Sequence, residues 1–178
     1  MKRLFTFFTI SSILFFSCKK DKADESFHLS CKIDGQTASF NTASFAGHLT
    51  NEAGTGFTFG GLTAATASGD ALGFVIIDMG ATEKLGAGTY ADSSTKFEIL
   101  TTFTTGADGH AYEAGSTVFQ QTNESSDIAN HLKVSITSVT NETVRGTFSG
   151  DFFLEGDPTG AKKTITNGDF YLKLQEQQ

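Results

Sequence analysis

From Phe27 onward, apolar and polar residues alternate with a period of two along much of the chain. That spacing places one face of a β-strand on a core and the other in water. Phe27, Leu29, Cys31 and Ile33 alternate with His28, Ser30, Lys32 and Asp34, which predicts a half-buried strand. Asp34-Gly35 then predicts a tight two-residue hairpin, because both residues tolerate positive φ. Residues 37–42 form the expected return strand, with Ala38 and Phe40 inward. Phe57, Phe59 and Leu62 mark a further strand, in which Gly60-Gly61 reads as a bulge or bend. The stretch 71–79 is nearly all apolar and carries the β-branched run Val75-Ile76-Ile77. Nine residues are few for an uncapped helix, so a central strand covered on both faces is expected there.

Residues 86–90 read as a turn entering a short segment, and 106–109 as a loop. The apolar pattern of 96–103 shifts register once, and 116–121 reads as a short strand. The polar stretch 123–130 has room for one helical turn. Leu132, Val134 and Ile136 alternate with Lys133, Ser135 and Thr137, and Val139 continues the apolar row. Asn141-Glu142 turns the chain into the row Val144, Gly146, Phe148, Gly150, Phe152 and Leu154. After the loop 156–160 come a short strand at 164–166, a bulge or turn at Asn167-Gly168, and the row Phe170, Leu172 and Leu174. About nine short strands at regular spacing predict an all-β domain over 27–174, an antiparallel β-sandwich or, alternatively, a β-barrel. Residues 175–178 are expected to fray.

The N-terminus follows different rules. Lys2 and Arg3 precede thirteen uncharged residues, 4–16. As a helix these reach about 20 Å, short of a hydrocarbon core of about 30 Å. A signal peptide over 1–17 fits that length. Phe15-Phe16-Ser17-Cys18 resembles the lipobox of bacterial lipoproteins, with Phe15 standing where many carry Leu. The resemblance implies lipidation of Cys18, which becomes the mature N-terminus. Residues 19–25 carry six charges in seven positions, so 18–26 is expected to be a solvated tether. Lys20-Asp21 partly resembles the sorting signal of Bacteroidota surface lipoproteins. The expected location is the outer membrane, surface-exposed or facing the periplasm.

Composition narrows the function classes. The formal charge is −7, and removal of Lys2 and Arg3 with the signal takes it to −9. A chain this acidic lacks the basic patch that nucleic acid requires. Two cysteines, one of them the lipidation site, build no disulfide framework. Thirteen phenylalanines remain after residue 17 as core material, while Trp is absent.

The strand and turn signals Lys32-Ile33-Asp34-Gly35, Gly88-Thr89-Tyr90, Val144-Arg145-Gly146-Thr147-Phe148 and Ile165 to Phe170 resemble a group of small Bacteroidota lipoproteins with a β-sandwich domain. That resemblance implies a fold and no activity. Chemistry-bearing residues are sparse. Cys31 reads as a core thiol, since it lies on the apolar face of its strand. His28, His48, His110 and His131 form no close pair, and no metal or cofactor site is expected. His110 has Glu113 within sequence reach, and Asp151, Glu155 and Asp157 fall within seven residues at a strand end, close enough to meet a calcium ion, but without the alternating acids and central Gly of a calcium loop. Of Tyr90, Tyr112 and Tyr171, Tyr112 is the candidate sugar platform. The chain contains no Gly-x-Ser-x-Gly and no phosphate loop. The expectation is a non-catalytic envelope module for a protein or glycan partner. A hydrolase assembled from distant loops and a barrel carrying an apolar ligand are the alternatives.

Overall fold

The computed structural model describes residues 26–51, 54–63, 69–79, 81, 84–121 and 128–175. The signal peptide, Cys18, nearly all of the tether, most of 123–130 and the last three residues lie outside the described residues. Those described form, in order, β1 (His28–Ile33), β2 (Gln36–Ser39), β3 (Ala43–Asn51), β4 (Gly54–Leu62), β5 (Ala71–Met79), β6 (Gly88–Ala91), β7 (Phe97–Thr104), β8 (Ala111–Gly115), α1 (Ser116–Gln121), β9 (Lys133–Val139), β10 (Thr143–Leu154) and β11 (Lys162–Gln175).

The strands join in one mixed sheet, ordered β2-β1-β11-β3-β4-β5-β7-β8-β10-β9-β6, and β10 also pairs with β11. That extra pairing folds the sheet into two layers. One holds β2, β1, β11, β10, β9 and β6; the other holds β3, β4, β5, β7 and β8. Only narrow seams join them. Leu174 and Gln175 run parallel beside Ala46 and Gly47, and Phe153 and Leu154 lie antiparallel to Glu113 and Tyr112. The result is the expected all-β sandwich, with one parallel seam; it is not a closed barrel.

Phenylalanine fills the main core, with eight buried Phe side chains, and Phe153 belongs to a smaller cluster. Phe59 of β4 stacks on Phe74 of its own layer and on Phe170 of the opposite one, with ring centroids 4.5 Å apart in both cases. Phe74 meets Phe148 across the layers at 4.8 Å. Each such ring contributes about 1.5–3 kcal/mol by leaving water.

Several local readings change. Residues 43–51, unassigned from the pattern, form β3. β4 runs through Gly60 and Gly61 in unbroken register with both neighbours, so no bulge occurs there. Those glycines serve close approach instead: a Cβ at Gly61 would collide with the Phe40 carbonyl, and one at Gly60 with that of Leu72. β5 is covered on one face only. Leu72, Phe74 and Ile76 are buried, whereas Val75 and Ile77 are half-buried and Met79 is exposed. β7 keeps one register against β5 throughout, with Ile99 and Phe103 inward and Leu100 outward. The expected strand at 116–121 is helix α1. The strand there is β8, one segment earlier, and it stops at Gly115, whose φ of +115° few other residues adopt. Helical spacing then turns Val118 onto Ile128 and Phe153. Finally, Asn167-Gly168 is a bulge inside one fourteen-residue strand, β11, and not a turn between two.

Candidate functional site

β6 ends the sheet and pairs, among the described strands, with β9 alone. Beside it opens a cleft of about 530 Å³, lined by residues 86–90 and by Asp78, Lys84, Lys96 and Phe97. Local chemistry shapes it. The Tyr90 hydroxyl donates to the Gly86 carbonyl at 2.7 Å and so holds the 86–90 turn closed. The Tyr90 ring meets Phe97 edge-on at 4.8 Å, which ties β6 to the start of β7. Burial, and secondarily the Asp78 charge, raise the Tyr90 pKa, so the hydroxyl stays protonated and donating.

Asp78 is 5% exposed and pairs with Lys96 at 2.9 Å. The Lys96 side chain is 66% exposed, and its ammonium sits 5.2 Å from the centre of the Phe97 ring. Asp78 is the one carboxylate among the described lining residues. The cleft therefore combines a glycine-bearing turn, two lysines and an aromatic side chain. That set suits the recognition of a polar ligand.

A smaller hollow of about 210 Å³ adjoins the cleft and shares Lys84, Leu85 and Gly86 with it. His48 lines this hollow, with its ring 4.7 Å from that of Phe57. Its Nδ1 is buried and has no hydrogen-bond partner among the described residues. Burial, reinforced by the Lys84 charge, lowers the His48 pKa and favours the neutral ring.

The residues singled out from sequence do not meet here. Cys18 lies outside the described residues. Cys31 is 3% exposed, and burial pushes its thiol pKa up to about 12, as suits an inert core side chain. His110 pairs with Asp108 at 3.1 Å on an exposed loop rather than with Glu113. His28 pairs with Asp169 at 2.5 Å, and His131 with the buried Asp92 at 3.1 Å. Asp151 parts from Glu155 and Asp157. It is buried and takes hydrogen bonds from Lys162, Thr164 and Asn130, while the other two are exposed. No group of three His, Cys, Asp or Glu suited to a metal occurs among the described residues.

Tyr112, the expected exposed platform, is 9% exposed and lies against Phe103. Its strand turns the ring inward, which the short loop-like stretch around it did not reveal. The half-exposed aromatic pair is instead Phe27 and Tyr171, with centroids 5.0 Å apart. Pattern reading also missed Asp78, Lys84 and Lys96, because ordinary surface charges carry no local mark of a shared cleft. Comparison with protein-family models, with curated proteins and with solved structures finds no match.

Proposed function

We propose that this chain is a lipid-anchored module of the bacterial cell envelope, held in the outer membrane by a diacylglyceryl group on Cys18, and that it binds a protein or glycan partner in the cleft beside β6. The carrying observation is Cys18 itself, placed after Ser17 at the end of a charged-then-apolar leader and before a run of six charges. Two acyl chains suffice for firm anchoring, since each buried methylene contributes about 0.8 kcal/mol. The polar lining of the cleft supports binding as the role of the domain.

Mass spectrometry of the protein purified from membranes tests the anchor. The expected N-terminus is a diacylglyceryl-modified Cys18, and Cys18→Ser is expected to abolish it. An uncut, unmodified N-terminus overturns the reading. For the cleft, Gly86→Phe is the useful variant, because nothing lies within 4 Å of a Cβ built there and the backbone carries no strain. Envelope oligosaccharides and peptides titrated against wild type should shift the NMR signals of Tyr90 and Phe97, and Gly86→Phe should suppress the shift. Binding that survives in the filled variant places the site elsewhere.

A further inference from the structure

We propose that the face carrying Phe27, Tyr171, Arg145 and Lys173 is the surface that this domain lays against the phosphate-bearing headgroup layer of its own membrane. The inference rests on the anchoring of Cys18 proposed above and adds which side of the domain meets the bilayer. Eight residues separate Cys18 from Phe27. Fully extended they span at most about 28 Å. Phe27 and its neighbours are therefore the part of the fold held nearest the acyl chains.

The chemistry at that spot fits an interface. Phe27 is 47% exposed although it is large and apolar. Its ring lies against Tyr171, and the Arg145 guanidinium sits 5.8 Å from the centre of the Tyr171 ring. Phe170, Leu172 and Leu174 are buried, so Tyr171 and Lys173 alternate to the outer face of β11. The pairings Arg145 with Tyr171 and Thr143 with Lys173 bring β10 into the same outer face. Aromatic rings prefer the headgroup level of a bilayer. Each basic side chain near an anionic surface adds about 1 kcal/mol. Asp169, the nearest acid on β11, is engaged by His28. Glu142 borders the face through the turn whose carbonyl accepts from the Leu174 amide, so Arg145 and Lys173 are balanced by Asp169 and Glu142 and the rings carry most of the contact. A weak contact is enough, because the tether already supplies a high local concentration.

The protein lacks Trp, so Phe27→Trp gives a sole fluorophore at a half-exposed position. The experiment uses the full-length lipidated variant in vesicles of phosphatidylethanolamine and phosphatidylglycerol, with brominated acyl chains as quencher. Docking predicts blue-shifted emission and quenching by the brominated chains, both reduced when Arg145→Glu and Lys173→Glu are added. Water-like emission without quenching, from protein that still sediments with the vesicles, overturns the docking face and leaves the anchor intact. Protein that fails to sediment and lacks the lipid overturns the anchor. An emission shift caused by soluble glycan, without quenching by the vesicles, makes this face a sugar platform and equally overturns the proposal.

Discussion

Asp151 offers a direct test of how the strands and loops of one layer are held. Its carboxylate is fully buried and accepts from Lys162 Nζ at 2.8 Å, from Thr164 Oγ1 at 2.8 Å and from Asn130 Nδ2 at 3.2 Å. The clasp fastens the approach to β9 and the start of β11 onto β10. Burial alone would raise the Asp151 pKa. The three hydrogen bonds and the Lys162 charge outweigh it and hold the value below the ordinary 3.8. In Asp151→Ala, the half-buried Thr164 hydroxyl loses its acceptor at about 1–3 kcal/mol, whereas the exposed Asn130 amide turns to water at little cost. Lys162 is 40% exposed, turns to solvent and adds little. The expected loss is about 2 kcal/mol, a sizeable part of a typical 5–15 kcal/mol. Urea denaturation of wild type and variant at several pH values measures it. A depressed carboxylate pKa contributes stability that is fully present above the unfolded value and is lost as pH falls through the folded one. The gap between the two proteins should therefore be full at neutral pH and close below about pH 4. A gap under about 1 kcal/mol at neutral pH, or one that persists unchanged in acid, refutes the clasp.

Other outcomes follow from the same contacts. Phe59→Ala opens the stack between Phe74 and Phe170 and should cost about 3–5 kcal/mol in urea or thermal unfolding, where a loss below about 1 kcal/mol would contradict the packing. Gly115→Ala forces a side chain onto the Ile99 carbonyl at a φ of +115° and should cost at least about 2 kcal/mol; a neutral result would mean that β8 ends in another conformation. Cys31, with its thiol pKa near 12, should react with thiol reagents only on unfolding, and rapid labelling of native protein would disprove its burial. His48 should titrate below its ordinary 6.5 in NMR, and Lys84→Gln should move it upward. Its neutral ring favours the fold, so its share of stability is lost as pH falls below that ordinary value; a titration at or above 6.5 in wild type excludes the predicted environment.

How far the chain could be read in advance depends on the range of each interaction. Leu29 and Cys31 face the core because neighbouring side chains on a strand point opposite ways, a property of adjacent residues alone. The Asp34-Gly35 hairpin was equally local, and both residues take the positive φ that it needs, 49° and 83°. Period two misled at 116–121, where a single positive-φ glycine ends the strand and six residues are too few for either periodicity to dominate. It misled also at β5, whose apolar outer face looks in sequence like the face of a strand buried on both sides.

By itself, then, the order of amino acids determined the strand-rich class, the inward and outward faces and the hairpin at Asp34, since each rests on residues a few positions apart. Partners distant in the chain were settled only by tertiary structure. Lys163 reaches Asp34 across 129 positions, and Asp78, Lys84, Tyr90 and Lys96 line one cleft from separate elements. The same holds for Tyr112 and Tyr171, alike in sequence character, one pressed on Phe103 and the other beside Phe27. Contact across space depends on which strands pair and how the sheet folds over, and no local pattern encodes that choice.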